Sequence, residues 1–431
     1  MYRKISRYFE DWKNSPYRKP LVVQGARQVG KTYSILEFGR NHYENVAYIN
    51  FERNQKLKEA FSGDISPAYL IPLLSHALGQ TIVTEKTLIV FDEIQSCERA
   101  LTSLKYFCEE APKYHIIVAG SLLGVAVNRG EFSFPVGKVD MKTMYPMDME
   151  EFMIAIGQED MVKQIRECFG SDSPMHPILH DSAMQYYRQY LVVGGMPECV
   201  TQFAQTGDYI LIRNIQTTIL ANYLDDMSKY NQQNETKKTR LTYDNVTVQL
   251  SKKNTRFQYK LIKKGGRAAE FENAIEWLNL SGIVNRVHKV ERPRKPLDDN
   301  KDIDAFKIYV SDLGLLCAKK ELAAQDVLYM SDDLEFFRGG MAENYVNVHL
   351  KANGYTSYYW ESGRGAEVDF IIQRDGKIVP IEVKSADNTQ AKSLKVYIET
   401  YRPAYAIKLS AKNFGFEGGK KTVPLYAAFC I

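Results

Sequence analysis

Eight consecutive residues, Gly25-Ala26-Arg27-Gln28-Val29-Gly30-Lys31-Thr32, set two glycines, an ammonium and a hydroxyl at a fixed spacing. The spacing is G-x-x-x-x-G-K-[ST], and each position has a chemical use. Glycines let the main chain wrap close to phosphate oxygens. Successive backbone N–H groups, with the start of a helix behind them, face negative charge. Lys31 is then expected to reach the β- and γ-phosphates of a nucleoside triphosphate, and the Thr32 hydroxyl to ligate magnesium. An apolar strand, Leu21 to Val23, precedes the loop, and helix-forming sequence follows from Lys31. That context separates the motif from a chance glycine-rich turn.

Leu88-Ile89-Val90-Phe91-Asp92-Glu93 ends a buried strand in two carboxylates. Asp92 is expected to hold the magnesium shell, and Glu93 to polarise a water for in-line attack on the γ-phosphate. Ser121 closes the next apolar strand, in Ala119-Gly120-Ser121. It is placed either to sense the γ-phosphate and the attacking water or to cap the following helix. Binding of ATP without turnover is a further reading, against which Glu93 argues.

A third group lies far along the chain. Glu367-Val368-Asp369-Phe370 and Glu382-Val383-Lys384 flank the turn signal Asp375-Gly376, the layout of a PD-(D/E)XK nuclease site. Asp369 and Glu382 are expected opposite each other on a hairpin, close enough to share a magnesium ion. Lys384 falls two residues from Glu382, on the same face, where its ammonium can orient water or stabilise phosphate charge. The alternative is a plain surface salt bridge. Between these groups, residues 231–267 carry Lys237, Lys238, Arg240, Lys252, Lys253, Arg256, Lys260, Lys263, Lys264 and Arg267, with Phe257 and Tyr259 interleaved and only Glu235 and Asp244 opposing. Such a face can contact DNA phosphates or simply be solvated.

The elements that must hold these residues follow from periodicity and length. A chain of 431 residues with 45% hydrophobic and 25% charged residues is ordinary globular sequence with enough material for two or three domains. Alternating strands and helices over 1–155 predict a mostly parallel sheet covered on both faces. Residues 156–300 read as helical, with Phe271 to Leu280, Gly282 and the strand-like IVNRVHKV suggesting a winged helix; Pro293 and Pro296 mark a boundary. Residues 301–431 return to mixed strands and helices. A net charge of +4 makes any basic surface local. The six cysteines form no CxxC pair, which fits reduced thiols in a cytoplasm. No apolar run reaches the length of a membrane span, and the N-terminus opens on polar sequence rather than a signal core, so no membrane partner is expected.

These residues resemble a family of bacterial and archaeal AAA-type ATPases that carry a C-terminal restriction-nuclease-like domain. The likeness runs through Pro20 to Thr32, Phe91-Asp92-Glu93-Ile94-Gln95, Ala119-Gly120-Ser121, Gly194-Gly195-Met196-Pro197 and Asp312-Leu313-Gly314-Leu315-Leu316. It implies an α/β chain: an ASCE-type P-loop sheet, a helical and winged-helix middle region, and a terminal restriction-endonuclease-like α/β domain. Glu343, in Gly340-Met341-Ala342-Glu343-Asn344-Tyr345, resembles the helix acid of such nuclease sites, and Trp360-Glu361 is family-like too. The metal set so implied is Thr32 and Asp92 at one site, and Glu343, Asp369 and Glu382 at the other. Where members show Gly-Arg after the sensor strand, this chain reads Gly137-Lys138, so an arginine finger is sought instead at Arg27 or Arg129. The expected partners are ATP with magnesium and a nucleic acid, an oligomer being compatible. The function so implied is ATP hydrolysis controlling a nuclease-like domain; the alternative is an ATP-driven switch whose C-terminal domain is a catalytically inactive DNA- or protein-binding module.

Overall fold

The apolar runs become strands because their side chains are buried on both faces. In the computed structural model, which describes residues 1–121, 134–229, 233–251, 256–385 and 392–431, two compact units separate. Residues 1–145, with 280–282, make the first; 146–279 and 283–431 make the second.

In the first unit, β1 (Leu21–Gln24), β2 (Asn45–Asn50), β3 (Thr87–Asp92), β4 (His115–Gly120) and β5 (Asp140–Thr143) pair in the order β2-β3-β4-β1-β5, all parallel. On one face, Val22, Ile89, Phe91, Ile116 and Val118 pack with Leu70 and Leu74 of α4 (Pro67–Leu78) and Leu101, Leu104 and Phe107 of α5 (Glu98–Glu110). Phe51, Phe61 and Phe91 form an edge-to-face triad with centroids 5.4–5.7 Å apart, the arrangement ring quadrupoles favour. α2 (Lys31–His42) also packs on β3 and β4, and its Phe38 ring lies 5.3 Å from Phe9 of α1 (Lys4–Asn14). Short α3 (Gln55–Glu59) also belongs to the unit. Burial on both faces explains why β3 and β4 read as unbroken apolar runs.

The second unit opens with helices α6 (Met149–Ala155), α7 (Glu159–Ser171), α8 (Pro177–Val193), α9 (Pro197–Thr206), α10 (Tyr209–Lys229), α11 (Gln233–Ser251) and α12 (Ala268–Leu280). Strands β6 (Val284–Val290), β7 (Lys301–Val310), β8 (Tyr358–Glu361), β9 (Glu367–Arg374), β10 (Lys377–Val383), β11 (Ala406–Ser410), β12 (Gly415–Glu417) and β13 (Lys420–Pro424) form a mixed sheet ordered β12-β13-β11-β10-β9-β8-β6-β7. The helices α13 (Leu313–Lys319), α14 (Ala324–Leu328), α15 (Glu335–Ala352) and α16 (Lys392–Tyr401) lie between strands in sequence. α15 packs on β7 and β10; α16 packs on β9, where Leu394 and Tyr397 join Trp360, Val368 and Ile371.

The chain separates into two compact units where three segments were expected from sequence. The proline-bearing stretch near residue 300 is not a boundary. It joins β6 to β7, which pair antiparallel and bury Val284, Val287 and Val290 in the same sheet as the distal strands. The strand after Gly282, expected within a winged-helix unit, pairs with β7 at the edge of the larger sheet. All six cysteines are free, and no described helix is long and apolar enough to cross a membrane.

Candidate functional site

The loop Gly25–Gly30 joins β1 to the start of α2. Gly25 has φ 147°, and a Cβ there would fall 2.1 Å from the Met144 carbonyl oxygen, so only glycine fits. Gly30, at φ 89°, begins α2 without a side-chain cap, leaving the first N–H groups of the helix open to an anion. Lys31 is only 8% exposed and donates to the carbonyl oxygens of Gly25 and Ala26 at 2.9 and 2.8 Å. Burial lowers its pKa to about 8, against the pull of nearby Glu93 and Asp92. Phosphate oxygens are the natural alternative partners for this ammonium.

Asp92 ends β3 and is held on every side. It accepts from Thr32 Oγ1 at 3.1 and 3.2 Å, Tyr48 hydroxyl at 2.7 Å, Asn50 Nδ2 at 3.3 Å and the Glu93 N–H at 3.1 Å. Burial, with help from Asp92, pushes the Tyr48 hydroxyl up to about 12, so it stays a donor. Glu93 takes a left-handed φ of 52°. Its Oε2 accepts from Gln95 Nε2 at 2.6 Å and from Ser121 Oγ at 3.5 Å. Thus Lys31, Thr32, Asp92, Glu93 and Ser121, scattered over three loop ends, meet. The donor set fits a triphosphate with magnesium: an ammonium, a hydroxyl beside a carboxylate, and open helix N–H groups. Tyr48 and Asn50 carried no motif; the signal available was polar residues two apart at the carboxyl end of a strand. Lys138 is on the surface in an ion pair with Glu109 at 2.8 Å, and Arg129 lies outside the described residues, as does the segment that a Ser121 cap would begin.

The second cluster lines a cavity of about 640 Å³ within the second unit. Its wall includes Glu343 from α15, Glu367 and Asp369 from β9, Glu382 from β10, Lys384 just beyond, and Lys307 and Tyr309 from β7. The turn between β9 and β10 has φ 47° at Asp375 and 69° at Gly376, the two left-handed residues of a two-residue hairpin. Pairing of Phe370 with Ile381 puts Asp369 and Glu382 at the next facing position, and Asp369 Oδ2 accepts from the Val383 N–H at 2.7 Å. Lys384 Nζ meets Glu382 Oε1 at 2.6 Å. Asn344 accepts from the N–H of Val310 at 2.8 Å and donates to its carbonyl at 2.9 Å, which satisfies the outer edge of β7 and clamps α15 there. Glu343, one residue earlier, thereby reaches the Tyr309 hydroxyl at 3.1 Å and Lys307 Nζ at 3.3 Å.

Burial raises the pKa of Asp369 well above the usual carboxylate range, and neighbouring Glu343 and Glu382 raise it further. Glu382 is raised by burial too, with Lys384 opposing. Burial alone would depress Lys307; Glu343, Tyr309, Glu367 and Asp369 outweigh it and hold the ammonium charged. Among the described residues no three His, Cys, Asp or Glu side chains already converge as metal ligands. The carboxylates nevertheless suit a hard cation: Glu382 is 3% exposed and its Oε2 has no hydrogen-bond partner. Lys307 and Tyr309 were missed in sequence; the available signal was a lysine inside the apolar strand Ala305-Phe306-Lys307-Ile308-Tyr309-Val310.

Of the basic stretch, Arg256 reaches this cavity and donates to the Asp304 carbonyl at 3.0 Å. Lys238 and Lys263 pair with Glu235 and Glu270, while Lys237, Arg240, Lys260, Lys264 and Arg267 are largely solvent-facing. Lys252 and Lys253 lie outside the described residues. Phe257 is buried against Phe306, centroids 5.2 Å apart, and Tyr259 bonds Glu272; both are packing residues. Glu361 faces Lys289 at 3.8 Å.

With β4 inserted between β1 and β3, and the lysine loop at the end of β1, the first unit has the build of an AAA-type P-loop ATPase domain. Residues 17–153 match the family model described as an AAA domain. Residues 184–326 and 338–428 match two models described as domains of unknown function, DUF8612 and DUF4143. No curated protein matches the chain. Similar solved structures include a Walker-type ATPase of Pyrococcus abyssi, 14% identical with a TM-score of 0.43, covering 73% of this chain and 94% of that one. The ORC2 protein of Aeropyrum pernix is 12% identical with a TM-score of 0.32, covering 78% and 93%. A RuvB variant of Thermotoga maritima is 12% identical with a TM-score of 0.30, covering 66% and 87%.

Proposed function

We propose that the chain hydrolyses ATP in its first unit and that its nucleotide state controls a nuclease-like second unit acting on nucleic acid. Lys31 and the loop N–H groups bind the β- and γ-phosphates, and Thr32 with Asp92 orients magnesium, which neutralises charge on the phosphates when bound. Glu93, oriented by Gln95 and adjacent to Ser121, accepts a proton from the attacking water.

The observation that carries the second half of the reading is the shared cavity of Glu343, Asp369, Glu382 and Lys384, with the orphaned Glu382 oxygen inside it. Asp369 and Glu382, with Glu343, would hold a divalent cation, whose chemistry is to polarise a phosphodiester and its attacking water. Lys384 orients the phosphate, and Arg256 extends positive charge along the same wall. The test is incubation of the full chain with labelled DNA and RNA, with and without ATP, in magnesium or manganese. Cation-dependent cleavage that changes with ATP, and that both Asp369→Ala and Lys384→Ala abolish, is expected. Absence of cleavage under every condition supports the second reading, an ATP-driven switch with an inactive DNA- or protein-binding module. That reading is favoured by the Lys307 ammonium standing among the carboxylates.

A further inference from the structure

We propose that Lys307 is a tethered cation holding one cation position in the second cavity, and that removing its ammonium opens that position to one more divalent ion. The inference rests on reading this cavity as a cation site. Lys307 projects from β7 with its side chain only 7% exposed. Its ammonium ion-pairs closely with Glu367, lies 3.3 Å from Glu343 and 4.0 Å from Asp369, and stands 5.3 Å from the face of the Tyr359 ring. Carboxylates from a helix and a strand around one small positive centre make the oxygen shell a hard divalent cation takes. Desolvating an ammonium is costly unless it is paired on several sides, and here it is.

The two ends of the cavity differ. At the Lys307 end, Glu343 and Glu367 are engaged by the ammonium, and Glu343 also accepts from Tyr309. At the other end, Lys384 engages only one oxygen of Glu382, and Glu382 Oε2 stays buried without a partner. Five carboxylates, Glu335, Glu343, Glu367, Asp369 and Glu382, line the cavity with three basic groups, Lys307, Lys384 and Arg256. With every carboxyl ionised, the state a bound cation favours, the two negative charges left over equal what one divalent ion neutralises. The open position is therefore at Asp369 and Glu382, and the second is filled from within the fold. A lysine that only braced the strands would leave the number of bound ions unchanged when removed, so ion count separates the two roles.

The experiment titrates nucleotide-free full-length protein with Mn²⁺ by calorimetry, counting free Mn²⁺ by electron paramagnetic resonance. Ions belonging to this cavity are those that Asp369→Ala loses. Lys307→Met is expected to bind one more Mn²⁺ per chain than the parent, Lys307→Arg the parent's number, and the melting temperature of Lys307→Met to rise more with Mn²⁺ than the parent's. If Lys307→Met fails to fold in chelator, Mn²⁺ should restore its fold; failure in both conditions overturns the inference. An unchanged ion count in a folded Lys307→Met overturns it as well, and leaves the cation-site reading standing if the parent binds one ion. A parent that binds none while Lys307→Met binds one preserves the role of Lys307 and removes the cation-site reading of the parent. No ion in either removes both.

Discussion

The two sites are built by opposite routes. At the nucleotide loop, eight adjacent residues and the helix they start supply the phosphate-facing groups, and other strand ends add Asp92, Glu93 and Ser121, with Tyr48 and Asn50 behind Asp92. In the second cavity the groups come from stretches far apart in the chain, with β7, α15, β9 and β10 each lending one or two side chains. A local site survives as a pattern, because backbone geometry inside one loop sets its spacing. A dispersed site depends on register and on clamps such as Asn344, so its members look like ordinary strand and helix residues. The charge balance differs as well. Lys31 has a depressed pKa and is ready for an external anion, whereas Lys307 is held charged by carboxylates already in place.

The largest expected effect tests the local site. Glu93→Gln keeps the shape and removes the base, so ATP binding should persist while turnover falls about 10²–10⁴-fold. Unchanged phosphate release would remove Glu93 from that role. Lys31→Ala deletes a charge-assisted phosphate contact of about 1.5–3 kcal/mol, which is about 10- to 100-fold in affinity by calorimetry. Equal affinity in parent and variant would show that the loop is not the phosphate site.

The dispersed architecture of the second unit is probed by Asp312. Its carboxyl is buried and accepts from the N–H groups of Gly195 at 2.6 Å and Leu315 at 2.8 Å, and burial raises its pKa from 3.8 to about 6. The folded state then binds more protons than the unfolded state between those values, so this group's contribution to stability falls as pH rises from about 4 to 6 and is flat above. Denaturant melts of the parent and Asp312→Asn should therefore drift apart over that window, in favour of the variant, by up to about 3 kcal/mol. A stability difference independent of pH would contradict the raised carboxyl.

The smallest effect sharpens the contrast from the local side. Tyr48→Phe removes one donor from Asp92 and should weaken magnesium-ATP binding by about 1 kcal/mol, roughly fivefold, without changing the fold. No change would mean that Thr32, Asn50 and the Glu93 N–H suffice to orient Asp92.

The loop Gly25–Thr32, the acidic end of β3 and the Asp375-Gly376 turn were legible because each is decided by neighbouring residues: φ-permissive glycines, an apolar run, a two-residue hairpin. Apolar spacing likewise marked a helix from Phe271 to Leu280, which the structure extends to Ala268–Leu280, and the strand after Gly282. The edge at Pro293 and Pro296 was misread because prolines mark a loop of any kind, and only strand pairing reveals whether a loop divides domains or joins a hairpin. Lys307 was invisible for a related reason. A lysine in an apolar strand is costly to bury, and nothing within the strand offsets that cost; Glu343 and Glu367, 36 and 60 positions away, do so only once α15 and β9 have packed. Sequence by itself thus determined the groups whose geometry is set by local backbone, while tertiary structure alone decided which buried charges meet, because Coulomb and desolvation energies depend on distance in space and not along the chain.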